Sequence, residues 1–246
     1  MMIEKFFKDE IVVNEKEWEK LKLYKKIEKL EVKFSPDLID KLNEIRLLGN
    51  KASHYNKELT EVELNTIVNL ALGLYEELLI HYFNNLPKQD FLIGARILST
   101  LFPDLRVKVY SKLIDIENFD VTSEYEWSVF DKYSMALTKS GNLKEAISLL
   151  EKLENRTVGN VEIKNWVDHN KDVFIEMSRD REEKRTPIAR NIQDCKRNFQ
   201  SLLKNDINFY KQNHAKLIEI IEKLLEDFDP SEFNGEVENK VYYTFG

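Results

Sequence analysis

A chain of 246 residues is long enough for one large or two small domains with a well-buried core. Charged residues make up 33% and hydrophobic residues 42%, with seven glycines and five prolines, a mix that fits a helical globular protein better than a β-sandwich or a disordered chain. The formal charge of −7 excludes coating of nucleic acid through overall charge and leaves only a local basic stripe to meet phosphates. The expected fold is all-α.

After a short irregular start, Trp18, Leu21, Tyr24, Ile27 and Leu30 recur every three residues and predict a first helix. SPDLIDKLNEIRLLGNKASH opens with a serine cap before Pro36 and Asp37 and repeats Leu38, Leu42, Ile45 and Leu48, which predicts a second. Thr60 and Glu63 stand at capping-box spacing ahead of a long third helix, apolar at Leu64, Ile67, Val68, Ala71, Leu74, Tyr75, Leu78 and Leu79. Pro87 and Pro103 bound a helix from Phe91 to Phe102, and Pro103 starts another reaching about Ile116.

YEWSVFDKYSMALTKSGNLKEAISLLEKLE reads as a helical hairpin turning at Ser140-Gly141-Asn142. VEIKNWVDHNKDVFIEMSRD continues as a helix with Ile163, Trp166, Val173, Phe174 and Met177 near one side, and the charge run RDREEKR predicts a loop or frayed turn. Thr186-Pro187 starts the last helix by cap and proline, with a seam at Leu203, Ile207, Tyr210, His214, Leu217, Ile221, Leu224 and Phe228. The seam slips by one residue near Asn205-Asp206, which predicts a break; unbroken to Asp227, the helix would be roughly 60 Å long. The tail VENKVYYTFG reads as a short strand or as disordered. Residues 1–86 form an N-terminal bundle in this reading, 87–120 a helical connector, and 121–246 a repeat-like C-terminal region.

One cysteine, Cys195, rules out an internal disulfide framework and fits a reducing compartment. The start MMIEKFFKDE lacks the apolar run of a signal peptide, and the apolar stretch from Ile67 to Phe83 is interrupted by Asn69, Glu76, Glu77 and His81. The chain therefore reads as cytoplasmic and free of membrane spans.

Residues from about Tyr24 to Leu79 resemble the HEPN-like domains of unassigned function found at the N-terminus of type I restriction R subunits. The resemblance is carried by Ile45-Arg46, Gly49-Asn50, Ala52, His54, Thr60-Glu61 and the leucine-rich third helix. It implies a helical bundle in a prokaryotic defence or toxin-related system. In the HEPN superfamily at large it also implies metal-independent ribonuclease chemistry, with an arginine, a polar neighbour and a histidine meeting their copies across a homodimer. There a histidine can shuttle the 2′-hydroxyl proton and an arginine can stabilise charge on phosphate. In that motif the arginine directly precedes the polar residue; here Gly49 precedes Asn50, and Arg46 lies one turn earlier. Arg46, Asn50 and His54 share a helix face if Gly49 does not end the helix. Three readings stay open: a helix end with charge and cap contacts, ligand or RNA binding without cleavage, and a catalytic site.

SVFDKYSMALTKSGNLKEAISLLEKL resembles a single tetratricopeptide repeat at Phe130, Tyr133, Ser134, Leu137, Gly141, Ala146 and Leu150, within residues about 127–154. The resemblance implies a helical stack with a groove for a protein partner; an ordinary helical hairpin is the alternative. Arg190, Arg197, Lys204 and Lys211 repeat every seven residues along the last helix, either as a solvated face or as a site for nucleic acid or an acidic partner. Asp168, His169 and Asp172 lack a second histidine at helical spacing, so no metal is expected. His214 and Cys195 read as packed, and His81 follows an apolar run with nothing pairing it to His54. No phosphate-binding glycine loop, nucleophile elbow or dinucleotide fingerprint appears, so no cofactor is implied.

Overall fold

The structure, a computed structural model, describes residues 15–55, 60–185 and 188–228; for 15–16, 52–55 and 205–206 it describes the backbone alone. Every regular element among the described residues is helical, and no strand occurs among them. The chain start, Thr186-Pro187 and the tail VENKVYYTFG lie outside the described residues. The chain divides into two compact units, Met1–His81 and Tyr82–Gly246.

In the first unit the single helix expected over Trp18 to Leu30 is two: α1 (Glu15–Lys20) and α2 (Leu23–Leu30). The apolar spacing explains the division. Positions three apart fall about 60° short of a full turn, so four such steps would carry the stripe about 240° around an unbroken helix. Extended backbone at Lys22 (φ −66°, ψ 153°) resets the phase. Trp18, Ile27 and Leu30 are then buried together as core residues, while Tyr24 stays exposed.

Helices α3 (Pro36–Tyr55) and α4 (Glu61–Asn84) follow. Ser35 Oγ accepts from Leu38 N–H at 3.3 Å, and its hydroxyl donates to Glu77 Oε2 of α4 at 3.0 Å. Lys41 Nζ donates to the other oxygen of the same carboxylate at 3.0 Å, fixing the two helices side by side. The capping box of α4 closes in both directions: Thr60 N–H donates to Glu63 Oε2 at 2.9 Å and Glu63 N–H to Thr60 Oγ1 at 3.3 Å. Leu38, Ile39 and Leu42 of α3 and Leu74, Tyr75, Leu78 and Leu79 of α4 are buried.

In the second unit a 3₁₀ turn (Lys88–Asp90) leads into α5 (Phe91–Leu98), which ends before the expected Phe102. Ser99 Oγ donates to Arg96 O at 2.6 Å and Thr100 Oγ1 to Ile97 O at 2.8 Å, so side-chain hydroxyls compete with the backbone ladder there. Helix α6 (Pro103–Ser111) starts on its proline and stops short of Ile116. The amides of Lys112 and Leu113 turn tightly back to Val109 O and Tyr110 O, at 3.1 and 3.0 Å.

The hairpin consists of α7 (Glu124–Ser140) and α8 (Leu143–Arg156), followed by α9 (Val161–Glu182). Gly141 turns the chain in the left-handed region (φ 98°), with its N–H donating to Thr138 O at 3.2 Å and Asn142 N–H donating to Leu137 O at 2.9 Å. Arg181 reaches this turn from α9, donating from Nε to Lys139 O at 3.0 Å and from Nη2 to Ser140 O at 3.3 Å. A Cβ at Gly141 would lie 3.1 Å from the Arg181 Cζ. Helix α6 packs on α7, and α7, α8 and α9 pack on one another. Phe130, Ser134, Leu137, Ala146, Leu150, Val167 and Phe174 are all fully buried. The small Ser134 and Ala146 allow the close approach of α7 and α8.

The run RDREEKR is not a loop throughout: α9 extends to Glu182 and only then turns, with Lys184 at φ 57°. Arg185 N–H donates to Asp180 O at 2.8 Å and helps close that end. The last helix, α10 (Ile192–Asp227), begins later than Pro187, because Asn191 Oδ1 accepts from Asp194 N–H at 2.8 Å and residues 188–190 are irregular. It also runs unbroken past Asn205-Asp206, for about 54 Å. The slip in the seam turns Ile207 outward and leaves the helix intact, while Leu203, Tyr210, His214, Leu217, Ile221, Leu224 and Phe228 are buried. Helix α10 packs on α5.

Replacing Gly141 by Ala puts a side chain into the left-handed conformation and against Arg181. The expected loss is at least about 1 kcal/mol, measured as a lowered midpoint of urea unfolding. Leu150→Ala, which opens a cavity under the hairpin, should cost about 2–5 kcal/mol in the same measurement. An unchanged midpoint for Gly141→Ala would contradict the packed turn.

Candidate functional site

Helix α3 does not end at Gly49, which lies in its interior with nothing within 4 Å of where a Cβ would be. Arg46, Asn50 and His54 therefore stand at successive turns of one face, with His54 in the last turn of a helix that ends at Tyr55. Their backbone positions span about 12 Å along the axis at 1.5 Å per residue. Arg46 is half-buried and its Nε donates to Asn43 Oδ1 at 3.4 Å, one turn back on the same helix. Asn50 is exposed. The backbone of His54 is helical; its side chain is outside the described residues.

Two further features mark this end of the first unit. Lys51 pairs with Glu63 across α3 and α4, and Leu47, Val62 and Leu64 are exposed beside them, Val62 by 74% and Leu47 by 57%. The hydrogen bond from Lys51, followed by those from the Thr60 amide and hydroxyl, lowers the Glu63 carboxyl to about 2. That folded value lies below the unfolded one, so the contribution of Glu63 to stability is present above about pH 4.3. It is lost as pH falls toward 2.

The heptad line of cations is shorter than the sequence suggests. Arg190 precedes the cap of α10, donating from its guanidinium to Arg181 O at 2.7 Å and from its amide to Asp194 Oδ2 at 3.0 Å. Arg197 pairs with Asp194, and Lys204 and Lys211 are exposed on the helix. Ile207 and Phe209 are exposed between those two lysines.

On the hairpin stack, Trp127 of α7 and Trp166 of α9 are half-buried and meet edge to face with ring centres 4.7 Å apart. An open depression of about 270 Å³ at the α8–α9 turn is lined by Glu154, Asn155, Thr157, Asn160 and Lys164, and is smaller than usual ligand pockets.

His214, His81 and the cysteine have packed environments. His214 Nδ1 shares a 2.8 Å hydrogen bond with the Tyr82 hydroxyl, its Nε2 is buried without a partner, and burial lowers its pKa. His81 lies against Phe34 at 4.5 Å between ring centres. Cys195 is buried and its thiol is pushed up to about 12. Asp168, His169 and Asp172 are exposed on α9, and no group of three or more metal-binding side chains occurs among the described residues. No helix among them is long and apolar enough to cross a membrane.

Sequence reasoning missed the buried Arg106 on α6, with Asp104 on the same helix, Lys139 on α7 and Arg181 on α9. Their electrostatic coupling joins residues from three helices, and no local motif marks it.

Residues 2–102 are similar to a family described as a domain of unknown function (DUF4145). That span contains EIRLLGNKASH and all of α1 to α5 and stops at Phe102, one residue before α6. No curated protein and no solved structure matches the chain.

Gly49→Ala should raise stability by about 0.5–1 kcal/mol, because the residue is interior to α3 and its site is open. A loss of stability would contradict helical continuity through the candidate face. Glu63→Gln should lower the melting temperature at neutral pH, with its difference from wild type shrinking as pH falls from about 4.3 toward 2. A difference that does not change with pH would contradict the capping carboxylate.

Proposed function

We propose that the chain is an interaction protein of a prokaryotic defence or toxin-related system, acting in the cytoplasm. In this reading a HEPN-like N-terminal bundle dimerises or docks on a partner, and a tetratricopeptide-like stack presents a second surface. The observation that carries the proposal is the set of exposed apolar side chains near the Lys51–Glu63 contact of α3 and α4. Leu47 is exposed on α3 between Arg46 and Asn50, and Val62 and Leu64 are exposed in the first turn of α4 on either side of Glu63. Large apolar side chains exposed near an ion pair that joins two helices suit a protein interface.

The second surface is supported by the half-exposed Trp127–Trp166 pair, because tryptophan offers a large apolar body with a hydrogen-bonding edge. RNA is the other partner this reading accommodates. Lys204 and Lys211, with Ile207 and Phe209 exposed between them, offer charge for phosphates and apolar surface for bases. A net charge of −7 restricts such binding to this local strip.

A second reading is a divergent metal-independent ribonuclease using His54 as acid or base, with Arg46 and Asn50 holding phosphate. The unbroken α3 favours it, since the three residues share one face. The span of about 12 Å between the backbones of Arg46 and His54 weighs against one copy closing around a single phosphate, so this reading requires a dimer.

Purified protein incubated with mixed cellular RNA in chelator distinguishes the two. Under the interaction reading the RNA stays intact with wild type and with His54→Ala. RNA captured by wild type is then released by the double change Lys204→Glu and Lys211→Glu. Cleavage by wild type but not by His54→Ala would replace the interaction reading with the ribonuclease.

A further inference from the structure

His214 is 1% exposed, on the buried line that α10 carries from Tyr210 to Phe228. Its Nδ1 meets the Tyr82 hydroxyl at 2.8 Å, and no protein atom accepts from or donates to its buried Nε2. Tyr82 lies in the last turn of α4, so this one hydrogen bond ties the middle of α10 to another helix. Histidine changes charge just below neutral pH when nothing perturbs it. In a neutral ring one nitrogen donates and the other accepts, and a hydroxyl does both, so Tyr82 satisfies Nδ1 in either tautomer. A charged ring donates from both nitrogens, which places a charged Nε2–H inside the fold with no acceptor.

No anion stands in contact with the ring. Burial, with Asp90 acting the same way, keeps the Tyr82 hydroxyl protonated. Asp90, in the 3₁₀ turn before α5, acts on His214 through space and against the larger effect of burial. Lys88 of the same turn stands over the Tyr125 ring. Helix α5, which packs on α10, carries one charged residue, the exposed Arg96. On α10 itself the neighbours one turn away are the buried Tyr210, Leu217 and Ile218 and the exposed Lys211.

We infer that His214 is a pH-sensitive latch on α10. Neutral, it holds the middle of the helix on Tyr82; protonated, it loosens the stretch from Tyr210 to Phe228 and uncovers the buried Leu217, Ile218, Ile221 and Leu224. Burial sets the direction, because it lowers the folded pKa below the unfolded value of about 6.5. The contribution of His214 to stability is therefore full above about pH 6.5 and is lost as pH falls through the folded value. The latch is independent of the N-terminal face.

Hydrogen–deuterium exchange of the full chain at pH 7.5 and 5.5, corrected for the intrinsic pH dependence of amide exchange, tests the inference. In wild type, protection over residues 210–228 should fall several-fold at the lower pH, up to about tenfold for one proton taken up, while the amides of α7 and α8 keep theirs. His214→Gln retains a hydrogen-bonding amide for Tyr82 and takes up no proton, so its protection should be equal at the two pH values. His169→Gln, at an exposed position of α9, should respond as wild type does. Because a change at a buried position can disturb folding, the imidazole ¹⁵N resonances of wild type are the second measurement. One ring, hydrogen-bonded at Nδ1, should remain neutral at pH 6. All rings half-charged at pH 6.5 or above overturns the latch, as does wild-type protection over 210–228 that ignores pH, or a folded His214→Gln that keeps the wild-type response.

Discussion

The C-terminal unit depends on one guanidinium placed over one turn. Gly141 lets α7 reverse into α8 with no side chain above the bend, and Arg181 of α9 occupies that space and caps the carbonyls of Lys139 and Ser140. Carbonyls at a helix end have no partner within the helix. Supplying their donors from a third helix ties α9 to the hairpin and sets where Val167 and Phe174 enter the core. It also extends α9 through a charge run that local composition marks as loop. The same turn places Arg181 in range of Asp104.

Legibility in the sequence followed the range of the interactions involved. Caps are local, and Ser35, Thr60 with Glu63, and the Gly141 turn were readable because donor and acceptor lie within a few residues. The division between α1 and α2 was encoded in the three-residue spacing, which is incompatible with a long helix, yet period matching alone takes it for one. Start signals misled at Pro187, where Asn191 with its own acceptor from the Asp194 amide begins the helix instead. A slipped seam suggested a broken α10, but a long helix tolerates one outward apolar side chain, and Ile207 is that residue.

The candidate sites divide in the same way. The face of Arg46, Asn50 and His54 is visible from spacing, because four-residue steps on a helix need no tertiary information. Whether Gly49 interrupts it does not follow from propensity, since an interior glycine costs a helix only about 1 kcal/mol. The burial of Arg106 is invisible in one dimension: it comes from packing between separate helices, and Arg106 differs from any surface arginine only by burial and an unused donor. Two charge patterns thus acquire different meanings. Lys204 and Lys211 are conspicuous in sequence and lie at the surface, whereas Arg106 and Lys139 are inconspicuous and are packed or half-packed.

The central claim is the proposal that the exposed apolar residues of α3 and α4, Leu47, Val62 and Leu64, form an interaction face, with the homodimer as its simplest occupant. Sedimentation velocity of the full chain across a wide concentration range tests this most directly. The account predicts a reversible monomer–dimer equilibrium that Val62→Lys, an exposed position outside both cores, shifts to monomer without loss of helicity. A wild-type chain that stays monomeric throughout, or a dimer that Val62→Lys leaves untouched, would contradict self-association through this face.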